Sequence, residues 1–104
     1  MTTATSFELL ADPTRRRLLE ELCTGERSVG ELVEVLGMNQ PAVSKQLRVL
    51  RESGLATVRV DAQRRIYRLN PDGLREVDDW LAPFRAFWEE RLDAMERTLD
   101  SMED

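Results

Sequence analysis

The chain of 104 residues has no histidine, one lysine and one cysteine. Each scarcity excludes something. Histidine is the usual general acid–base group and the usual activator of a nucleophile, and zinc sites draw on His or several Cys. With Cys23 alone, no intrachain disulfide can form, and the composition fits a reducing cytoplasm. Catalysis by carboxylates remains conceivable, but no pocket-forming motif accompanies it, so neither enzymatic activity nor a cofactor is expected. No stretch approaches the ~20 apolar residues of a membrane helix. Met1-Thr2-Thr3-Ala4-Thr5-Ser6 lacks the basic and apolar regions of a signal peptide. A membrane partner is not expected.

What is present reads as one small domain spanning residues 1–104, since domains cluster near ~100–150 residues. Apolar residues make up 41% and charged residues 34%, a globular balance. The net charge of −5 by itself argues against a nucleic-acid partner. Its distribution argues otherwise. Residues 38–70 carry seven basic side chains against two acids, a net of +5, whereas residues 71–104 carry four against eleven, a net of −7. A basic middle beside an acidic segment points to a polyanion partner for the middle; solvated charges on a helix and a hairpin are the plainer alternative.

Local signals order the elements. Phe7, Leu9 and Leu10 suggest a short first helix. Asp12-Pro13 opens a second, with Leu18, Leu19 and Leu22 as its apolar stripe and Gly25 beyond its end. Ser28 and Glu31 form a capping box for a third, closed by a left-handed Gly37. Asn39 caps a fourth, in which Val43, Leu47 and Leu50 face the core and Gln40, Ser44, Lys45, Arg48 and Arg51 lie around another face; Gly54 stops it. Leu55–Val60 and Arg65–Leu69 read as a hairpin with a basic tip, whose turn lacks the glycine of a two-residue loop. From Val77 to Met102, apolar residues recur at spacings of 4, 3, 4, 4, 3, 4 and 3, a helical seam. Pro83 interrupts it, so a kink or break is expected there. A straight helix over 72–102 would span roughly 45 Å, longer than a domain of this size is wide.

The fold class is therefore mainly α with a small β-hairpin and about five to six helices. A short helix, a turn and a polar-faced helix make a helix-turn-helix (28–54), followed by a wing (55–70) and C-terminal helices (71–104). Three stretches carry a resemblance to a known family. They are Leu10-Ala11-Asp12-Pro13-Thr14-Arg15-Arg16-Arg17-Leu18-Leu19, Gln40-Pro41-Ala42-Val43-Ser44-Lys45-Gln46-Leu47-Arg48-Val49-Leu50-Arg51, and Gly54-Leu55 leading into Arg64-Arg65-Ile66-Tyr67-Arg68-Leu69. The chain resembles winged-helix repressors of the arsenical-resistance (ArsR/SmtB) type. That resemblance implies a homodimer bound to double-stranded DNA, with repression relieved by a signal.

It also places Gln40, Ser44 and Lys45 at base-facing positions of the recognition helix. Their chemistry suits this: Gln pairs with adenine, Lys reaches guanine, and Ser serves either. Asn39, Arg48, Arg51, Arg64 and Arg65 are candidates for backbone contact by helix and wing. The 77–95 segment holds both tryptophans and two of three phenylalanines. Val77, Trp80, Leu81, Phe84, Trp88, Leu92 and Met95, with Phe7 and Leu10, are candidates for a dimer interface. Covering the monomer core, or lining a crevice for a small-molecule effector, are the alternatives. Metal sensing is not expected. The family's Cys-Val-Cys-Asp-Leu run is Ser28-Val29-Gly30-Glu31-Leu32 here, and its C-terminal site needs histidines. Cys23 reads as a small core residue. A rival of another class is a winged-helix protein-interaction module without DNA binding.

Overall fold

A computed structural model describes residues 6–102. The segment read above for a leader, residues 1–5, lies outside it, as do residues 103–104. The order is α1 (Ser6–Leu10), α2 (Pro13–Cys23), β1 (Arg27–Ser28), α3 (Val29–Leu36), α4 (Gln40–Glu52), β2 (Ala56–Asp61), β3 (Arg64–Leu69), a 3-10 turn (Pro71–Leu74) and α5 (Arg75–Met102). The expected mainly helical fold is what forms.

Cap chemistry starts and stops the helices where the sequence places it. Asp12 accepts from the backbone N–H groups of Thr14 and Arg15, two donors that the first turn of α2 leaves without intrahelical partners. At α3 the capping box closes in both directions: Ser28 Oγ accepts from Glu31 N at 3.2 Å, and Glu31 Oε1 accepts from Ser28 N at 3.0 Å. Gly37, at φ 67°, ends α3 in the left-handed region. Asn39 Oδ1 accepts from Ala42 N at 2.9 Å and starts α4.

The buried layer is built from the predicted stripes. Leu18, Leu19 and Leu22 of α2 meet Leu32 and Leu36 of α3 and Val43, Leu47 and Leu50 of α4 in one cluster, joined by Leu9, Leu55 and Tyr67. Each such leucine contributes about 1.5–3 kcal/mol by leaving water.

The hairpin gains a third strand. The sheet order is β1-β3-β2, all antiparallel, with Arg27 opposite Tyr67 and Ser28 opposite Ile66. Ser28 is extended (φ −78°, ψ 162°), as an N-cap must be, and the same conformation lets it pair with β3. β2 and β3 pair from Ala56–Leu69 to Asp61–Arg64, leaving Ala62-Gln63 as a two-residue loop despite the missing glycine. Ala62 adopts φ 57° to make it.

Two expectations are corrected. Pro83 does not break the last helix: α5 runs through it for 28 residues. Proline withdraws the N–H that Asp79 O would accept and crowds that turn. Arg85 braces the turn from outside, donating to Asp78 O at 3.1 Å and pairing with its carboxylate at 2.9 Å. The molecule is accordingly elongated, 63 × 34 × 21 Å. Cys23 is exposed rather than in the core, because it lies one helical step past Leu22, outside the buried stripe of α2.

Candidate nucleic-acid interface

α4 is seated by Val43, Leu47 and Leu50, all fully buried. With one face pinned, helical geometry turns the others outward. Gln40, Lys45, Arg48 and Arg51 are exposed and Ser44 is half-buried. The β2–β3 hairpin stands beside this face. Between them runs an open cleft of about 940 Å³. It is lined by Gln40, Ser44, Lys45, Arg48 and Arg51 from α4 and by Arg64 and Arg65 from β3. All the predicted base-reading residues, and four of the five backbone candidates, therefore share one cleft. Asn39 is not among its lining residues; its carbonyl oxygen is engaged in the helix cap.

Ser28, Val29 and Gly30 at the start of α3, with Pro41, Gln63 and Tyr67, also line the cleft. No local sequence pattern marks these six residues for that role. The only sequence signal was the helix-turn-helix geometry, which brings the start of the first helix near the second.

The field of the cleft is strongly positive. Among the described residues, Arg48 alone of its cationic side chains has an ion-pair partner, Glu52 at 3.4 Å, and both ends of that pair are largely in water. Such a pair holds the arginine weakly. Glu31, in the capping box, has its pKa lowered first by the Ser28 backbone hydrogen bond and then by the Ser28 side chain, with smaller help from Arg27 and Arg64. Arg59 is committed elsewhere: its guanidinium holds Glu26 at 2.8 Å, tying β2 to the loop before β1. That hydrogen bond holds Glu26 below the usual carboxylate range.

The candidate interface residues fall into two groups. Phe7 of α1 meets Trp80 edge-on at 5.7 Å between centroids, and Trp80 meets Phe84 at 4.7 Å. Leu10, Val77 and Leu81 line a second crevice of about 400 Å³ between α2 and α5, with Cys23 also on its wall. Trp88, Leu92 and Met95 lie further along α5, each more than half exposed. No residue of α5 is fully buried, so the seam does not close the monomer's core. No group of three potential metal ligands occurs among the described residues, and no described helix is long and apolar enough to cross a membrane.

A helix-turn-helix whose second helix and following hairpin share a cationic cleft defines the class: a winged helix-turn-helix protein of the DNA-binding kind. Comparison with known proteins narrows this. The model of the bacterial regulatory protein arsR family matches residues 12–58. Over 96 residues the chain is 38% identical to the HTH-type transcriptional regulator Rv2034 of Mycobacterium tuberculosis, covering 92% of this chain and 87% of that protein. The crystal structure of the transcriptional repressor BigR from Xylella fastidiosa is 38% identical, with a TM-score of 0.61 over 77% of this chain and 80% of that one. The homodimeric winged helix-turn-helix DNA-binding domain of Mb0332 from Mycobacterium bovis, solved in solution, is 30% identical, with a TM-score of 0.61 over 80% and 74%. The chain belongs to the arsR family of bacterial regulatory proteins: it is a transcriptional regulator and not an enzyme.

Proposed function

We propose that this regulator is a homodimeric repressor acting in the cytoplasm on an inverted-repeat operator, and that an organic effector relieves it. Each protomer lays residues 39–51 in a major groove. Gln40, Ser44 and Lys45 read base edges there. Arg48, Arg51, Arg64 and Arg65 hold phosphates, with the 60–66 wing on the adjacent backbone. Asn39 contributes by starting the recognition helix and by the N–H donors that its cap leaves free.

The observation that carries this reading is the single cleft that gathers these cations on one face. The acidic α5 segment would then lie away from the duplex, where it adds no repulsion to the contact surface. The overall charge of −5 keeps non-specific binding weak, so that affinity rests on the local field and on base contacts.

Selection of bound sequences from random DNA tests the proposal. The expected product is an inverted repeat with half-site centres about one helical turn, ~10 bp, apart. Direct repeats, or no enrichment at low salt, would overturn it, the latter in favour of a protein-interaction module.

A further inference from the structure

We infer that the Tyr67 hydroxyl and the Gly30 N–H form an uncharged seat for one phosphate of the DNA backbone. The inference rests on the DNA-binding reading above and adds a contact made without a basic side chain.

Tyr67 packs its ring in the core and is 4% exposed. Phenylalanine would fill that place as well, and a buried hydroxyl costs free energy unless it is hydrogen-bonded. Tyr67 Oη has no hydrogen-bond partner among the described residues. Yet among those residues no polar side-chain atom that is sealed from water lacks one. The hydroxyl is therefore the part of Tyr67 that comes out of the core. It comes out into the cleft, which Tyr67 lines together with Ser28 and Gly30.

The first turn of α3 offers a second donor to the same space. The capping box satisfies two of the N–H groups that a helix start leaves over, those of Ser28 and Glu31. The N–H of Gly30 has no partner among the described residues. It lies at the positive end of the helix dipole, where anions bind. Nothing in the fold asks for glycine at this position. A Cβ there would meet only Ser28 Oγ, at 3.9 Å, and alanine is the better helix former. What the bare Cα provides is close approach of a ligand to the backbone.

The chemistry selects a phosphodiester. Its two free oxygens can accept one bond each from an O–H and an N–H. No acid lines the cleft, and Arg64 and Arg65 share it, so the seat lies in a positive field. Gln40 and Ser44 line the same cleft. A duplex whose bases they read carries its backbone past the start of α3. The seat then sets the depth of α4 in the groove, a positioning role.

Two variants of the full chain separate this role from a structural one. Tyr67→Phe should melt no lower than the parent, because the hydroxyl bonds nothing within the protein. Gly30→Ala should melt slightly higher. Both should nevertheless bind less well to the operator selected from random DNA and to scrambled duplex alike. The expected loss is about tenfold per protomer, the low end for a hydrogen bond to a charged group. Neutral donors displace no counterions, so the salt slope should stay at its parent value, unlike that of Arg64→Ala. Single methylphosphonates placed in turn along the operator each erase one phosphate charge. One position should weaken the parent and leave Tyr67→Phe almost unchanged, because the two changes remove the same contact. Parent affinity in either variant, or no such position, overturns the seat and leaves the DNA-binding reading standing. A lowered Tm in Tyr67→Phe makes the hydroxyl structural and also overturns it. A parent that binds no duplex even at low salt overturns the reading itself, and the seat with it.

Discussion

The Nε–H of Arg15, in the first turn of α2, donates to Oε1 of Gln46 in α4 at 2.9 Å. Arg15 also stands 3.9 Å from the carboxylate of Asp12, which caps its own helix. The start of α2 and the flank of α4 thus share one polar network. Guanidinium has donors and no acceptors, so the bond also fixes the orientation of the Gln46 amide, with its NH2 turned away from Arg15.

Arg15→Met keeps the aliphatic stem and removes the donor. The expected cost is about 1.5–3 kcal/mol, the scale of a hydrogen bond to a charged group, or roughly 4–8 °C in Tm for each kcal/mol in a domain of this size. Gln46→Met should cost little more on top of it, because the two side chains act as one unit. Calorimetry on the single and double variants checks both. Additive losses would mean that the two residues stabilise independently.

The elements that were legible in the sequence are those whose signals are local. Asp12, Ser28 with Glu31, Gly37 and Asn39 each act on backbone groups within about four residues, so their patterns specify helix ends directly. The polar face of α4 was legible for the same reason, because burial of Val43, Leu47 and Leu50 determines where Gln40, Ser44 and Lys45 point. What was not legible depends on distant partners. β1 has two residues and no periodicity; it exists because Ser28 meets Ile66. The places of Gln63, Tyr67 and the start of α3 in the cleft follow from hairpin and helix meeting in space. At Pro83 the expected break does not occur, because the rule for proline counts the lost hydrogen bond and not the Arg85 brace beside it.

The wing turn carries strain that can be relieved. Ala62, the first residue of the two-residue loop, has φ 57°, a region where a Cβ crowds the backbone. Such residues cost of order 1–3 kcal/mol, and glycine's extra freedom in the unfolded chain costs about 0.4–1 kcal/mol. Ala62→Gly should therefore stabilise, by up to about 2.5 kcal/mol, whereas Ala62→Val should destabilise. Denaturant midpoints for the two variants should move in opposite directions; a common direction would contradict the strain.

Gly73 sits where β3 hands over to α5, and its missing side chain is a packing requirement. A Cβ there would collide with the carbonyl oxygen of Gly54 and stand 2.8 Å from Leu55 Cδ2. Its own carbonyl accepts from Ser6 Oγ at 3.0 Å, which ties α1 to the same junction. Backbone cannot step aside as a flexible side chain does. Gly73→Ala should cost about 1–3 kcal/mol, seen as a lower Tm with unchanged helical content by circular dichroism.

Two carboxylates make stability depend on pH. Glu31 is held below its ordinary 4.5 first by the Ser28 backbone N–H. Glu26 is held below the same value first by the Arg59 hydrogen bond. In the unfolded chain both protonate at the higher, ordinary value. Their contribution is therefore full above that value and disappears as pH falls through the lower folded one. Melting curves from about pH 6 to about pH 3 should show the parent losing Tm more steeply than Glu31→Gln or Glu26→Gln. Ser28→Ala should cost about 1 kcal/mol at neutral pH through the lost cap.

Salt separates the roles assigned to the cleft. Arg64, on the wing, has no ion-pair partner among the described residues, so its assigned phosphate contact should appear as counterion release. Arg64→Ala should weaken operator and scrambled DNA alike and reduce the salt slope by about 1. Gln40→Ala should leave the slope near its parent value, cost about 1–3 kcal/mol on the operator and relax preference at one base pair. Arg48 gives a third case, because Glu52 competes with phosphate for it at 3.4 Å. Removing that competitor in Glu52→Gln should raise affinity for every sequence, most strongly at low salt, where the duplex attracts the freed guanidinium over the longest range. Binding isotherms for the three variants at several salt concentrations check all of this. Equal loss of specificity in Arg64→Ala and Gln40→Ala would contradict the division between positioning and reading.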